Sequence, residues 1–528
     1  MKSRGRFTNS SASAVARKSA SCFGAAPRAT ASVFRPTLTQ GGFLERNTTR
    51  RLLPRLLLLL AVAFGLAACE RPSPAAIVPA SGAPLAGSGL PPTPTAVPPT
   101  PTLANTRLPA AAAPTATAVF TATATAVPTA VLSPTPVYTG PLSPACGQLL
   151  PIAAADTAVV TSLTPNAEAL ARLRERIPAA ALPALLHLLE QPGSVGLAAY
   201  QVGLEGDGAY LNADAPMPLA SVVKVLTLVA YAEAVAAGTV NPLETVPLAD
   251  LEAFYQPGLD LSAHPRAVDA LTAEGRTFGE PPAALLETVP RMMTEFSSNA
   301  AADYLHLRLG QTAIEETALA LGLESQTAPC PFLGQFLAMG NVTRDAGDDQ
   351  AAVQAFIADP AAYGAYAMEM VDAYRGSQAF RDAQTAWRQE TRRPASQVQR
   401  LFTAALNPRG SARDYAGLMA RLALNGLSNG DSSYIARRYL EWPMQYAANQ
   451  ALFSNLGYKN GSMPGVLTTV YYAYPLNGDR PVVVALFFRD LPGQTYRTWR
   501  QSLAHDELAR WLLSDPEAIG ILRQVVNP

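Results

Sequence analysis

Residues 146–528 predict an α+β domain: an antiparallel sheet from N- and C-terminal strands, with a large helical subdomain inserted between them. Four runs have the composition of strands, at 195–202, 209–213, 466–474 and 481–488. They form two pairs around short polar turns, which is typical of antiparallel hairpins. Between the two pairs, residues 221–449 are rich in Ala and Leu and mostly helical in pattern.

The remaining elements complete this order. A helix is predicted over 167–191, ending at Gln191-Pro192-Gly193. The first hairpin turns at 203–208 and the last at Asn477-Gly478-Asp479. A closing helix is predicted over residues 495–513.

The helix that opens the insert carries a Ser-x-x-Lys pair in its first turn, and Gly238 is suited to cap its end. It is apolar on nearly every face, which indicates burial. At spacing i, i+3, Ser221 and Lys224 lie on one helical face, where the amine can take the hydroxyl proton. Burial and a nearby positive charge would favour the neutral amine. Alternatively, Ser221 is an N-cap and Lys224 a surface residue, which is the usual meaning of a lone pair of this kind.

The use of lysine makes the chemical interpretation stronger. Only Lys224 and Lys459 follow residue 18, against 36 arginines in the whole chain. A chain this rich in Arg supplies Arg wherever a plain positive charge suffices, so a remaining Lys indicates a compact ammonium or an amine that can lose its proton.

Two further motifs follow in order. Ser297-Ser298-Asn299 lies between two helical patterns, and Lys459-Asn460-Gly461, followed by Ser462, precedes a strand-like run. With Ser-x-x-Lys at 221–224, they resemble the three motifs of the serine beta-lactamase and penicillin-binding protein superfamily, Ser-x-x-Lys, Ser-Asp-Asn and Lys-Thr-Gly. The resemblance is closest to the class A beta-lactamases, covers about residues 170–520 and includes the segment 407–416. It implies an α/β/α sandwich.

The resemblance also implies acyl transfer through a covalent intermediate. Ser221 would attack an amide or ester carbonyl with Lys224 as its base. Ser297 would pass a proton to the leaving nitrogen, Asn299 would hold the substrate amide and orient Lys224, and Lys459 would hold Ser297 and attract the substrate carboxylate. These five are the predicted catalytic residues.

Three neighbouring residues are predicted to bind substrate or the oxyanion. The backbone N–H groups of Ser221 and Ser462 would form the oxyanion hole. Asn460 replaces the motif's Thr and keeps a hydrogen-bonding side chain, while Ser462 can supply the missing hydroxyl. Gly461 completes the motif.

Two departures bear on activity. The sequence has no Glu-containing loop of the kind by which class A enzymes activate the deacylating water; instead, 341–407 is a polar insert whose only glutamates are Glu369 and Glu390. The strand after Lys459 also lacks an Arg. Three functions stay open: a serine hydrolase of beta-lactamase or D,D-peptidase type, a catalytically impaired protein that binds peptidoglycan or another envelope ligand, and a purely structural surface lipoprotein.

The N-terminal third predicts export. Residues 50–69 read as a signal peptide ending in a lipobox-like Leu-Ala-Ala-Cys, so Cys69 would be lipidated and anchor the protein to a bacterial membrane from outside the cytoplasm. The alternative is an ordinary signal peptide with a chance Cys. Residues 1–49 are predicted to be an unstructured or mis-assigned extension, and the Pro/Thr/Ala-rich residues 70–145 a disordered stalk.

Composition narrows the partners. With 40 acidic and 40 basic residues there is no basic footprint for nucleic acid, and four scattered histidines make a zinc site improbable. We expect a monomer without cofactor or metal, acting on a beta-lactam or peptidoglycan-like small substrate. Cys146 and Cys330 can form a disulfide in an oxidising compartment, or stay buried and free.

Overall fold

The computed structural model describes residues 146–147, 158–345, 347–391 and 394–526. The predicted extension at 1–49, the signal peptide at 50–69 with Cys69, and the stalk at 70–145 lie outside the described residues.

The main sheet is antiparallel, has five strands and follows the order β2-β1-β10-β9-β8. Two small sheets, β3-β7 and β4-β6-β5, lie within the insert between β2 and β8. In the described part of the chain the strands are β1 (Val195–Gln201), β2 (Ala209–Leu211), β3 (Met217–Pro218), β4 (Thr245–Pro247), β5 (Thr277–Phe278), β6 (Ala283–Leu285), β7 (Arg409–Gly410), β8 (Phe453–Met463), β9 (Val466–Pro475) and β10 (Val482–Phe488).

Pairing joins the two ends of the domain. Strand β1 pairs along its whole length with β10, in the register Leu197 opposite Leu486, and β9 pairs with both β10 and β8. The predicted sheet of N- and C-terminal strands is therefore confirmed. Strand β8, which carries Lys459, is an edge strand of this sheet.

Helices make up most of the remaining described residues. They are α1 (Ala167–Arg176), α2 (Leu182–Glu190), α3 (Lys224–Ala236), α4 (Leu248–Glu252), α5 (Ala263–Ala273), α6 (Val289–Thr294), α7 (Asn299–Leu309), α8 (Gln311–Leu321), α9 (Phe332–Met339), α10 (Asp349–Ala358), α11 (Pro360–Gly376), α12 (Gln378–Thr391), α13 (Ser396–Leu406), α14 (Ala412–Ala423), α15 (Gly430–Leu440), α16 (Ala447–Gln450), α17 (Gly493–Ser502), α18 (Ala504–Ser514) and α19 (Ala518–Val526). Within the described ranges, none of them has both the length and the hydropathy that a bilayer span requires.

Two predicted helices are broken in the structure. The helix predicted over 167–191 is α1 followed by α2, because Ile177 precedes Pro178 and takes an extended conformation, as residues before proline favour. The helix predicted over 495–513 divides at Leu503, whose φ is 58°.

The two faces of the sheet build two hydrophobic cores. On β9, Tyr471 packs into one core with residues of α1, α2, α18 and α19, and its neighbour Tyr472 packs into the other with residues of α3 and α14. Successive strand residues point to opposite faces, so the strand serves both layers. The result is the expected α/β/α sandwich.

The insert 341–407 folds into helices α10–α13. Val353, Tyr363 and Phe402 of the insert share a core cluster with Cys146 and other buried residues. Cys146 forms a disulfide with Cys330, close to the start of α9. Cys146 also lies against α11 so closely that a Cβ at Gly364 would be 2.0 Å from its carbonyl oxygen. The disulfide thus ties the beginning of the domain to the segment before α9, and packing of Cys146 ties it to the insert.

Candidate active site

Ser221 lies in a 3-10 turn, Ala220–Val223, immediately before α3. The prediction that Ser221 opens the first turn of the α-helix is therefore wrong in detail: the α-helix begins at Lys224. Ala220 has a φ of 47°, a conformation that costs energy for a residue with a side chain. Its backbone N–H donates to the Asn407 Oδ1 at 2.8 Å.

Strand β9 and the edge strand β8 hold the same turn from another direction. The Thr468 hydroxyl donates to the Leu219 carbonyl at 2.8 Å. Gly461 packs so closely that a Cβ there would lie 2.6 Å from the Leu219 oxygen and 2.7 Å from the Ser221 nitrogen. Since real Cβ atoms do not approach that closely, the turn and the Lys459 motif can meet only if residue 461 is glycine.

Lys224 projects from α3 into a fully buried site. Its Nζ donates to the Ser297 carbonyl at 2.7 Å and the Asn299 Oδ1 at 2.8 Å, and lies 3.3 Å from the Ser297 Oγ. The Nζ is also 4.6 Å from the centre of the Phe332 ring. Burial, and then the positive charge of Lys459, lower the pKa of Lys224 well below its usual value. The environment therefore favours a neutral amine.

The predicted contact between Ser221 and Lys224 is only partly realised. In a 3-10 turn residues i and i+3 are eclipsed, so both side chains leave the same side of the turn. Among the described residues, however, the Ser221 hydroxyl has no hydrogen-bond partner, and the Lys224 amine is held by Ser297 and Asn299.

Lys459 reaches the site from β8 and is also buried. Its Nζ donates to the Ser297 Oγ at 3.0 Å and to the Asn460 carbonyl at 2.9 Å. Burial lowers the pKa of Lys459 to about 7, although the negative charge of Asp506 acts in the opposite direction. The Ser297 hydroxyl thus lies between two lysine amines.

The middle residue of the second motif has a structural role. The Ser298 Oγ accepts from the Ala301 N–H at 3.1 Å and caps α7, and it is 2.9 Å from the His264 Nδ1. Ser297 itself has a φ of 64°, so the chain turns sharply just before this cap. Ser is among the best N-cap residues, which explains how Ser298 fixes the flanking Ser297 and Asn299.

Ser221 and Ser462, whose backbone N–H groups were predicted to form the oxyanion hole, have different surroundings. Within the described chain the Ser221 N–H has no hydrogen-bond partner, so it is free to bind an oxyanion. The Ser462 hydroxyl lies 2.9 Å from the Tyr496 hydroxyl of α17. That Ser462 supplies the hydroxyl missing at Asn460 stays a prediction, because a hydroxyl that makes one hydrogen bond can still make another.

Sequence reasoning missed several residues that shape this site. Asp303, fully buried on α7, accepts from the backbone N–H groups of Phe332 at 2.6 Å and Leu333 at 2.7 Å, and so caps α9. Burial raises the pKa of this carboxyl to about 7. Asn407 was visible only as part of the segment 407–416, and nothing local marked Phe332. The two glutamates of the insert, Glu369 and Glu390, have exposed side chains.

A serine hydroxyl flanked by two buried lysines, beside a strained serine-bearing turn, makes this domain a serine hydrolase in class. The family model of the beta-lactamase enzyme family matches residues 178–511, more than half of the chain, and the chain belongs to that family.

The solved structures that the chain matches include two beta-lactamases and PBP-A. The beta-lactamase from Sphaerobacter thermophilus is 17% identical, with 65% of this chain and 99% of that chain covered and a TM-score of 0.40. The beta-lactamase from Chitinophaga pinensis is 12% identical, with 65% of this chain and 97% of that chain covered and a TM-score of 0.38. PBP-A is 15% identical, with 69% of this chain and 98% of that chain covered and a TM-score of 0.36. No curated protein matches the chain significantly.

Proposed function

We propose that this protein is an envelope-anchored, class A-like serine hydrolase that forms an acyl-enzyme on Ser221 with beta-lactams or D-Ala-peptide amides. The observation that carries the proposal is the Ser297 Oγ, which lies 3.0 Å from the Lys459 Nζ and 3.3 Å from the Lys224 Nζ. Such a bridge offers a proton path between a base and a leaving group.

The first step is acylation. Lys224, whose environment favours the neutral amine, takes the Ser221 proton as the hydroxyl oxygen attacks the carbonyl carbon. The Ser221 N–H, with that of Ser462, stabilises the oxyanion, a contribution of roughly 3–4 kcal/mol per donor. Ser297 donates its proton to the leaving nitrogen as its C–N bond breaks, and is reprotonated from Lys224. Lys459 remains charged and attracts the substrate carboxylate.

The second step, hydrolysis of the acyl-enzyme, lacks an obvious base. The Phe332 ring lies against the Lys224 Nζ. The carboxylates of Asp260 and Asp303 act on this amine through their charge, and neither is among its hydrogen-bond partners in the described part of the chain. The nearby Asp303 carboxylate is occupied by two backbone N–H groups. We therefore expect the acyl-enzyme to clear slowly. The same observation favours the second candidate, a catalytically impaired protein that binds peptidoglycan or another envelope ligand.

Intact-mass spectrometry of the protein after exposure to benzylpenicillin, followed over time, tests this proposal. We expect an adduct that forms and persists in the wild type and is absent in Ser221→Ala, with the melting temperature of the variant unchanged. An adduct that clears within seconds would place the protein among efficient lactamases and refute slow clearance. No adduct on the wild type would refute acylation by beta-lactams, and labelling of Ser221→Ala would mean another nucleophile.

The anchoring part of the proposal rests on the sequence around Cys69 alone. Metabolic labelling with a fatty-acid analogue should modify the expressed protein in bacteria, and Cys69→Ser should remove the label and release the protein from the membrane fraction. Membrane retention of an unlabelled Cys69→Ser protein would contradict a lipid anchor.

A further inference from the structure

A buried amide without a partner lies next to Asn299. Gln256 is only 3% exposed, and neither its Oε1 nor its Nε2 has a hydrogen-bond partner within the described residues. Leaving a buried polar group unpaired is costly, and Gln256 leaves two atoms unpaired. A site that binds a ligand is one place where such a cost is retained.

Gln256 lines a small cavity. The cavity has a volume of about 10 Å³ and is lined by residues that include Tyr255, Asp260, Asn299, Leu333 and Phe336. That volume is close to what a single water molecule needs, and an ammonium group is of similar size. The cavity is therefore suited to one compact polar group.

The polar atoms of the cavity favour a donor with a positive charge. The Asp260 Oδ1 is buried and has no hydrogen-bond partner among the described residues, while its Oδ2 accepts from the His264 N–H at 3.0 Å. The Gln256 Oε1 adds a second free acceptor, and the Gln256 Nε2 adds a donor. An ammonium next to a carbonyl oxygen presents the complementary set: several N–H donors and one acceptor.

The wall of the cavity is held in place by the insert. The Tyr374 hydroxyl of α11 donates to the Tyr255 carbonyl at 2.9 Å, and the Arg375 guanidinium lies 4.5 Å from the centre of the Phe254 ring. On the other side, Leu333 is fixed through its N–H to Asp303. A pre-organised site binds its ligand at lower entropic cost.

We propose that this cavity is an acyl-side subsite that selects substrates with a primary ammonium next to a carbonyl, bound by Asp260 and Gln256. The inference rests on the proposed function, in which Asn299 holds the substrate amide, so a group attached beside that amide would enter the adjoining cavity. The negative charge of Asp260 would offset the repulsion between the ligand ammonium and any proton on Lys224.

Ampicillin and benzylpenicillin provide a matched pair of probes, because they differ by one amino group on the acyl side chain. The measurement is the second-order rate constant of acylation for each, by time-resolved intact mass at about pH 6, where an α-amino group is protonated. We expect the wild type to prefer ampicillin by about tenfold or more, since a hydrogen bond to a charged group is among the stronger ones.

Gln256→Met replaces the amide by an apolar chain of similar length, and the ampicillin-to-benzylpenicillin ratio should fall to about one, the value without a subsite contact. Asp260→Asn should lower the same ratio while keeping a side chain of the same shape, and serves if the first variant does not fold. Gln354→Met makes the same exchange at an exposed residue of α10, and should keep the wild-type ratio.

The outcomes separate this inference from the proposed function. Acylation by both penicillins at equal rates in the wild type would overturn the subsite and leave Ser221 chemistry intact. A preference that survives both Gln256→Met and Asp260→Asn would also overturn it, because the ammonium would then be recognised elsewhere. If neither penicillin acylates the wild type, the proposed function itself fails, and the subsite fails with it.

Discussion

Lys224 and Lys459 approach the Ser297 hydroxyl from different elements, helix α3 and strand β8, and they differ in what else surrounds them. Lys224 has two oxygen acceptors besides that hydroxyl, and the Phe332 ring. Lys459 has the Asn460 carbonyl, and Asp506 supports its charge. The pKa of Lys224 is lowered further by Lys459 itself.

This difference suggests a division of labour. One amine is kept neutral by burial and by the charge of the other, which suits a base. Both amines have carboxylates in their surroundings, Asp260 and Asp303 for Lys224 and Asp506 for Lys459, but only for Lys224 does a second lysine charge act against them. The Lys459 site therefore suits a cation that attracts an anionic substrate. Because both residues are lysine, it is the environment, and not the residue type, that decides which amine holds its proton more strongly.

Lys224→Arg should have the largest effect on the difference between the two lysines. A guanidinium cannot lose its proton in a protein, so acylation by benzylpenicillin should fall by about 10²–10⁴-fold, the usual contribution of a general base. The check is the acylation rate constant from intact mass. A variant that acylates at the wild-type rate would sink the assignment of Lys224 as base.

Gly461→Ala tests the contact that brings Lys459 to the turn. Its Cβ would push strand β8 away from the Ser221 nitrogen, and a misplacement of about 1 Å can cost about 10²-fold in rate. The acylation rate constant should fall by that order. Gly478→Ala is the control, since its added methyl would meet only Pro475 at 3.6 Å or more; equal effects of both would mean general destabilisation.

Asp506→Asn should sharpen the comparison because it acts directly on Lys459. Asp506 accepts from the hydroxyls of Tyr458 and Tyr471 at 3.2 and 3.3 Å, and its negative charge raises the pKa of Lys459. Removing that charge lowers this pKa, so the alkaline limb of acylation should move to lower pH. Tyr458→Phe removes one of these hydrogen bonds but keeps the charge, and should leave the limb in place; a shift in both variants would contradict an electrostatic cause.

Phe332→Leu should have the smallest effect. The ring stabilises the protonated form of Lys224 by about 0.5–2 kcal/mol. Its loss should therefore lower the pKa of Lys224 further. The acid limb of the acylation profile then moves to lower pH. Phe332→Tyr keeps an aromatic ring and should retain the wild-type limb, and a shift towards higher pH in the Leu variant would contradict the assignment.

Within each motif of the candidate site the spacing is local: Ser221 and Lys224 are three residues apart, and Ser297 and Asn299 flank a single helix cap. That the three motifs meet was expected from the resemblance to the family and not from spacing. Phe332, Asn407 and Gln256 were not predictable, because each reaches the site through packing between distant segments. Asn407 bonds to Ala220 across 187 positions, and no period or composition marks such a contact.

The same contrast between local signals and packing of distant segments applies to the main sheet. Strand-like composition and turn signals located β1, β9 and β10 to within two residues. Strand β8 was not predicted: the Lys459 motif was placed before the run that forms β9, and it lies within β8. Its Gly457 and Gly461 weaken the strand pattern. Both are required by close packing, Gly457 against the Tyr472 ring and Gly461 against the Ser221 turn.

The most direct test of the two-lysine account is the pH profile of the acylation rate constant for the wild type and for Lys459→Arg. Lys224 must be neutral and Lys459 protonated for acylation. The wild-type rate should therefore rise with pH through the pKa of Lys224 and fall again through the pKa of Lys459, at about 7. In Lys459→Arg the guanidinium stays charged, and the falling limb should disappear while some activity remains. A falling limb that persists at the same pH in Lys459→Arg would contradict the account, because another group would then have to lose the proton.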